Sequence, residues 1–569
     1  MDPSIQKSRS AHPDASTFDV LVCGGTPAGI AAAIRAARGG HRVLLTQHTH
    51  HLGGMCTNGL GQWDAKSDHR RCPIFAEILD RLETHYRETY GPDSEALQAV
   101  RYSATRFPVG SFEPSVIEGV FNEMVRREAN LTVWLGVFPE SVASDGGAIQ
   151  QVVLREKDGK QRSTVAARVF VDATYEGDLA ALAGVPYRVG RESRDEYDEP
   201  HAGLLYTKLK AQPAPRLAID GVINLHTFHC QHGGHDPASP QTGDHRIQAY
   251  NLRGCVCQRP ENRIQLTAPP ANYDREPYLH YKRGGLAIFA HINGKNSYNS
   301  PVLPGENWDY PDGDWATRDK ITARHRDFAL GWMWFLQNDP SVSEKKRSEA
   351  LRWGLPADEF TDNGNLPYEI YVREARRIVG RHVLSENDLL AEAGRMRPRS
   401  FEDSIAFTDW YMDSHSCSRD IGTWGNMDSS LLGNAEYPFE GKLILSEELR
   451  PGMVPYRSLV ADECRNLIVP VCAASTHIAW GAIRLEPIWI HLGEVAGFAV
   501  CQALDSDEAL NSLDATRLQR TLLKSGASIA FFNQHRELRD HPERAERELA
   551  ACHGEWDSYD FSDSGSENS

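Results

Sequence analysis

Apolar and polar positions near the start of the chain change period several times within about forty residues. Val20, Leu21 and Val22 form a short continuous apolar run, which predicts a buried strand. Gly24-Gly25-Thr26-Pro27-Ala28-Gly29 then predicts a tight turn, and the small residues Ala28, Gly29, Ala31, Ala32 and Ala33 predict a helix that lies close to a sheet and stops at Gly39-Gly40. Arg42 to Gln47 returns as a second, parallel strand, and a glycine doublet follows at Gly53-Gly54.

Further along, helical periodicity appears at Ile74 to Tyr90 and Ile117 to Asn130, and Leu131 to Val137 reads as another strand. Ile149 to Leu154 and Thr164 to Val171 flank Asp158-Gly159, a hairpin signal, so an antiparallel insertion feeds the strand ending at Asp172. From 195 to 454 the alternation of strand and helix disappears. Helices are predicted at Arg318 to Gln337 and Leu366 to Arg381, among loops rich in Pro, Gly, Trp, Tyr and His. Asn466 to Val471 and an apolar helix from Pro487 to Leu504 bring the chain back, and Ser512 to Gly526 predicts an outer helix. The expected fold class is α/β, with a Rossmann-like nucleotide domain in two parts, 17–194 and 455–506. An α+β substrate domain is inserted at 195–454, a helical segment covers 507–555, and an acidic, Ser-rich tail at 556–569 is expected to be disordered.

The opening unit has the chemistry of a dinucleotide site. Glycines let the backbone pass under a pyrophosphate, and the helix N-terminus aims its positive dipole end at the phosphates. Two positions depart from the usual G-x-G-x-x-G pattern: Thr26 replaces the second glycine, and Gln47 stands where an acid would accept the ribose hydroxyls.

Composition narrows the partners. A formal net charge of -17 with no basic stripe excludes nucleic acid as the expected partner. No apolar run reaches the length of a membrane span, and the polar leader lacks the apolar core of a secretory signal. Eleven cysteines without framework spacing suit a reducing compartment, so a cytoplasmic location is expected.

Together with the first motif, VDATYEGDLAALAGVPYRVGRES (171–193) and NLIVPVCAASTHIAWGAIRLEPIWIHLGEVAG (466–497) give the chain a specific likeness, extended by IQAYNLR (247–253), NGKN (293–296), YVREARRIVG (371–380) and MDSH (412–415). It resembles the FAD-dependent oxidoreductases of the glutathione-reductase-like superfamily, more narrowly a bacterial group with a GGTPAGIAAA opening often labelled "xanthan lyase". A flavin domain is not what lyase chemistry on a polysaccharide needs, so that label is not transferred. The resemblance implies FAD, held by Gly24, Thr26, Pro27, Ala28 and Gly29 at the pyrophosphate, Gln47 at the ribose, and Gly53, Gly54 and Met55 toward the flavin. It also implies contacts at Val137, at the Asp172-Ala173-Thr174 element with Gly177 and Asp178, at Glu486 and Pro487, and at a helix opening at Gly493. Asp172 and Asp178 as plain strand-end and N-cap residues are the competing reading.

Related disulfide reductases carry two redox cysteines five residues apart near this doublet. Here Cys56 is present but its partner position is Gly61, so Cys56 reads as a structural thiol. His48, His50 and His51 sit beside the doublet, where a covalent flavin link competes with plain hydrogen bonding to the cofactor. The group His226, His229, Cys230, His232 and His235 has zinc-ligand types but no completing framework, so no metal is assigned.

For turnover, the resemblance places His477 and Arg484 near the flavin, and His415 ends the MDSH segment. A histidine near neutrality takes an alcohol proton while hydride leaves the same carbon. Arg373, Lys295 and Asn293 are the expected anchors for polar or anionic substrate groups. A solvated helix face of Arg373, Glu374, Arg376 and Arg377, and core histidines, are the competing readings. The expected activity is FAD-dependent dehydrogenation of a CH-OH group in a carbohydrate or related polar molecule, since aromatics such as Trp308, Trp315, Trp332, Trp410, Trp424 and Trp480 suit stacking on sugars. A flavin monooxygenase, an amine oxidase and a non-catalytic binding protein are the alternatives. Electron acceptor and oligomeric state are not readable from the sequence.

Overall fold

The computed structural model describes residues 15–67, 69–101, 110–157, 159, 161–204, 206–208, 239–280, 285–287, 290–299, 301–391, 397–418, 438–440, 443–445, 451–532 and 538–556. The histidine and cysteine group at 226–235, Trp424, the leader and the tail beyond 556 lie outside them.

The first apolar run forms β1 (Ala15–Cys23), the alanine-rich stretch α1 (Pro27–Arg38), and the return β2 (Val43–Gln47). β3 (Leu131–Leu135), β4 (Val137–Asp145), β5 (Ala148–Glu156) and β6 (Arg162–Asp172) complete most of a seven-stranded sheet in the order β3-β2-β1-β6-β5-β4. β3, β2, β1 and β6 are parallel; β5 lies antiparallel along the first half of β6, and β4 along β5. The returning strand Leu467–Ile468 pairs in parallel with the second half of β6, at Phe170 and Val171. The predicted hairpin and the predicted return thus share one side of β6 without competing for it.

Glycine and alanine set the packing on this sheet. A closing helix (Glu486–Ser506) lies against α1, and a Cβ on its Gly493 would fall 2.2 Å from the Ala28 carbonyl oxygen. Gly493 therefore sits in mid-helix as a contact residue. The sequence expectation of a helix opening there is corrected: the helix starts two turns earlier, at Glu486-Pro487, with proline in its first turn. Among the described residues this is the helix long and apolar enough to cross a membrane, and 83% of its apolar window is buried inside the protein.

A second apolar core, with Val256, Tyr278, Phe328, Trp332, Met333 and Phe335, gathers around the long helix Trp315–Asn338. Residues of the 195–454 stretch divide between the two cores: Ile247, Tyr250, Ile370, Val372, Phe401 and Met412 belong to the first. The helix expected at Leu366 to Arg381 is absent; this segment runs extended, with a short strand at Arg377–Ile378. Its charges explain the difference. A helix would place Arg373, Arg376 and Arg377 on one face, whereas here Arg373 reaches Ala249 and Asn299, Arg376 reaches Asp178 and Asp312, and Arg377 reaches Glu192 and Ser475. All three are buried, which overturns the solvated-face reading.

The packing predicts opposite outcomes for two helical glycines. Gly493→Ala forces the closing helix off α1 and is expected to cost roughly 1–3 kcal/mol. Gly119→Ala, with nothing within 4 Å of the new Cβ, is expected to stabilise by roughly 0.5–1 kcal/mol. Thermal unfolding of both variants checks the pair.

Candidate functional site

The site begins where β1 ends. Gly24 has φ +102°, and a Cβ there would lie 2.5 Å from the Ala173 carbonyl group. The turn is tied to both neighbouring strands: Gly24 N donates to Thr46 O at 2.9 Å and Ala173 N to Cys23 O at 2.7 Å. Thr26, the departure from the glycine pattern, caps α1. Its hydroxyl accepts from Gly29 N at 3.2 Å and donates to Ala173 O at 2.8 Å, two bonds a glycine would lack. Pro27 and Ala28 open the helix, and its first turn carries no acid, leaving the positive dipole end for an anion.

At the end of β2 the structure supplies what the sequence lacked. Gln47 Oε1 accepts from Gly25 N at 3.0 Å, and its Nε2 donates to Glu369 Oε1 at 2.7 Å, a carboxylate brought in from 322 residues away. Asn58 Nδ2 holds the other oxygen at 3.1 Å, and His48 Nε2 lies 3.1 Å from the first. Burial raises the Glu369 carboxyl to about 7, and burial also holds His48 well below the ordinary histidine range. A small cavity of about 30 Å³ opens between His48, Tyr175, Glu176, Tyr310, Trp315 and Glu369. No local pattern in the sequence marked Glu369.

At the end of β6, Asp172 folds the following turn, accepting from Thr174 N, Thr174 Oγ1 and Ala180 N. Burial outweighs these bonds and raises its carboxyl to about 6. Asp178 follows at the start of a short helix, and its oxygens are taken by Arg318 at 2.6 and 2.7 Å and by Arg376 at 2.8 Å. It thereby ties the long helix and the extended segment to β6. Val137 is buried at the start of β4.

On the other side, Met55 N donates to Tyr175 Oη at 2.9 Å, and that hydroxyl donates to Glu486 Oε1 at 2.7 Å. Gly54 makes room for the Tyr175 ring, since a Cβ there would meet its hydroxyl at 2.2 Å. Gly53, with φ +105°, packs beside Thr57 and Phe121, and its N–H bonds Gly25 O at 2.7 Å. Among the described residues Glu486 Oε2 is buried without a hydrogen-bond partner, and burial raises this carboxyl to about 8. Cys56 is fully buried, and burial, with Glu486 and Asp64 behind it, raises its thiol well above the ordinary value. The His291 ring occupies the space a side chain at Gly61 would need, 2.1 Å from the Cβ position. Cys56 therefore sits as an unreactive thiol with no room for a partner at 61.

The residues expected to act in turnover meet around the strand Met412–Ser414. His477 starts a short helix (His477–Ile483) with Thr476 as its N-cap; Nδ1 lies 2.9 Å from Glu374 and Nε2 2.7 Å from Ser414 Oγ. Both ring nitrogens are engaged and the residue is 1% exposed, so the ring braces the strand and Glu374. Arg484 ends the same helix, donating to Tyr371 Oη at 3.0 Å and Asp413 O at 3.0 Å. His415 Nε2 lies 3.7 Å from Asp413 Oδ1 and is partly exposed. Arg373 stacks on the Tyr371 ring, its Cζ 4.4 Å from the centroid.

Lys295 and Asn293 lie elsewhere. Lys295 Nζ sits among Glu113, Asp358 and Glu359, 2.7 and 2.9 Å from the first two, and Asn293 Nδ2 donates to Tyr90 Oη and Glu113 Oε2. Neither shares a described partner with Arg373 or Arg484. The Asn-Gly pair makes a left-handed turn, with φ of +57° and +74°, and the lysine neutralises three acids, the buried Glu113 and Glu359 and the exposed Asp358, that would otherwise resemble a metal site. Four of the aromatics expected to stack on sugars are engaged elsewhere. Trp332 lies in the second core, Trp480 Nε1 donates to Arg373 O, Trp308 Nε1 donates to Cys417 O, and Trp410 stacks on Tyr411.

A glycine turn packed between strand ends, a capped helix N-terminus without acids and a carboxylate at the end of β2 together fit FAD. Residues 19–522 match the profile of the FAD dependent oxidoreductase family. The chain belongs to that family: it is an FAD-dependent oxidoreductase, and FAD is its cofactor. Among solved structures, partial similarity extends to Mycobacterium smegmatis Sdh1 in complex with UQ1 (16% identity, 32% of this chain and 42% of that chain, TM-score 0.23). It extends also to L-proline dehydrogenase from P. horikoshii (17%, 33% and 26%, TM-score 0.18) and Thermovibrio ammonificans THI4 (18%, 31% and 66%, TM-score 0.23). The match spans less than two thirds of each of those chains, and nothing about substrate follows from likeness at that level.

Two outcomes test this geometry. His477→Ala strips partners from buried Glu374 and Ser414 and is expected to cost about 1–3 kcal/mol; an unchanged melting temperature together with lost flavin reduction would make the ring catalytic instead. Glu486 has a raised folded pKa, so its contribution to stability is full below the ordinary carboxylate range and is lost as pH rises through about 8. Glu486→Gln, which keeps an acceptor for Tyr175, is therefore expected to show a smaller fall in melting temperature between pH 6 and 9 than the wild type.

Proposed function

We propose that this enzyme dehydrogenates a CH-OH group in a polar small molecule of the carbohydrate or related hydroxylated class. In this reading the nucleotide domain is of glutathione-reductase type, formed by 17–194 and 455–506, and the 195–454 insertion supplies the substrate side. One observation carries the reading: His415, Asp413, Arg484 and Arg373 converge beside the elements that present Met55 and Glu486. Bound FAD supplies the two-electron acceptor for a hydride.

The protein's own residues do the rest. As the substrate C–H bond breaks with its electron pair, the hydroxyl proton passes to His415 at Nδ1, its Nε2 lying 3.7 Å from Asp413, and the C–O group becomes a carbonyl. Asp413 stands beside the imidazole as the carboxylate facing the ring once it carries the proton. Arg484 in turn fixes Asp413 through the backbone carbonyl and an ion pair at 3.4 Å. His477 acts one step removed, bracing Ser414 next to His415.

Anaerobic flavin bleaching against a panel of sugars, polyols, sugar acids, hydroxy acids and amines tests the reading. The account expects bleaching by hydroxyl-bearing members, and His415→Asn to retain FAD while slowing it by about two to four powers of ten. Bleaching by amines alone would replace the proposal with amine oxidation, and an unchanged rate in the variant would remove His415 from the chemistry.

A further inference from the structure

Three guanidinium groups gather on one aromatic ring beside the proposed reaction centre. Arg373 and Arg253 lie over Tyr371, their Cζ atoms 4.4 and 5.4 Å from the ring centroid, and Arg484 donates to its hydroxyl. Their exposures are 1%, 5% and 3%, so all three cations are effectively out of water. The carboxylates close to them are Asp64, 3.9 Å from Arg253, and Asp413, 3.4 Å from Arg484.

Arg373 makes no ion pair among the described residues. Among the described residues no carboxylate lies within ion-pair distance of it, its Nη groups donate to neutral oxygens of Ala249 and Asn299, and its Nε has no partner. Arg253 Nε is also buried and unpartnered, and among the described residues this side chain donates no hydrogen bond. Burial lowers the Arg373 guanidinium to about 9, with Arg484 and Arg253 adding to the effect and Tyr371 and Asp413 partly offsetting it. An unpaired buried cation costs several kcal/mol, so a fold that keeps one has a use for it. The position tells which use. A Cβ on Gly59, in the helical turn Cys56–Leu60 that follows the glycine doublet, would meet the Arg253 carbonyl at 3.1 Å, and Arg484 stands two residues before Glu486. The cluster thus borders the flavin-side segments. It shares no described partner with the Gly24–Gly29 turn, which serves the pyrophosphate.

We propose that Arg373, with Arg253 and Arg484, binds a carboxylate on the substrate, making the substrate a hydroxy acid such as a sugar acid. This rests on the dehydrogenation reading above and deepens it. A guanidinium fork matches a carboxylate with two parallel hydrogen bonds, and the free Nε atoms of Arg373 and Arg253 are donors for that purpose. The carboxylate enters as the missing counter-ion, and it fixes which carbon faces His415. The neutral sugar of the same skeleton leaves Arg373 unpaired, so discrimination arises from the cost of that vacancy rather than from shape.

The test uses the FAD-loaded full-length enzyme and matched probes: D-gluconate with D-glucitol, D-galacturonate with D-galactose, and L-lactate with 1,2-propanediol. Two readouts are taken, perturbation of the oxidised flavin spectrum on binding and anaerobic bleaching. The expectation is that at least one acid binds and bleaches while its neutral partner does neither, and that Arg373→Met weakens binding of that acid by about 10²–10³-fold with FAD content unchanged. Acids that bind without bleaching, with binding lost in Arg373→Met, support the anion subsite and refute the dehydrogenation reading for these skeletons. Bleaching by neutral probes alone, no binding by any acid, or equal acid affinity in Arg373→Met overturns the subsite. Loss of FAD from Arg373→Met assigns the arginines to the cofactor and overturns it too. Should Arg373→Met fail to fold, Arg373→Lys, which keeps the charge and loses the fork, is measured in its place with the same expectation and the same overturning results.

Discussion

The Gly24–Gly29 turn is packed directly against the residues after β6, and the rest of the site depends on this contact. There is no space for a side chain at Gly24, and the Thr26 hydroxyl bonds the Ala173 carbonyl directly. This contact fixes the N-terminus of α1, and α1 fixes the closing helix through Ala28 and Gly493. The closing helix begins at Glu486, two residues after Arg484, so one backbone constraint near residue 24 positions chemistry some 460 residues later. That chain of contacts explains why small residues, not polar ones, dominate the opening motif.

A second layer of order comes from buried charge. Asp178 joins Arg318 and Arg376; Glu374 joins Arg377 and His477; Lys295 joins three carboxylates. Each group compensates a desolvated ion with partners from distant parts of the chain, and breaking one leaves an uncompensated charge. Arg373 stands apart within this pattern. Its neighbours Arg376 and Arg377 are fully paired, so the missing partner at Arg373 is a local feature of the site and not a general looseness in the electrostatics.

The nucleotide element was legible because its signals are local. Strand, turn, helix and return follow from apolar runs and glycine placement, and the hairpin between β5 and β6 follows from its turn residues. Leu366 to Arg381 was misread because helical periodicity and alternate ion pairing place charges at the same spacing, and the partners that decide between them lie far off in sequence. Gly493 was misplaced as a helix start for a similar reason: a glycine that accommodates a neighbouring backbone looks like one that ends a helix. Glu369, Arg253 and Tyr371 carry weight that no spacing announces, since each becomes relevant when the fold brings it to a strand end or an arginine cluster. Lys295 and Asn293 failed in the opposite direction, as polar residues in a distinctive motif whose work is a turn and charge balance.

The most direct measurement is an experimental structure of the FAD-bound enzyme with a hydroxy acid. The flavin ring is expected between Gly53–Met55 and Glu486–Pro487, the carboxylate on Arg373, and the hydroxyl carbon facing both the flavin and His415. A flavin lying away from those segments, or an acid whose carboxylate avoids the three arginines, would contradict this placement.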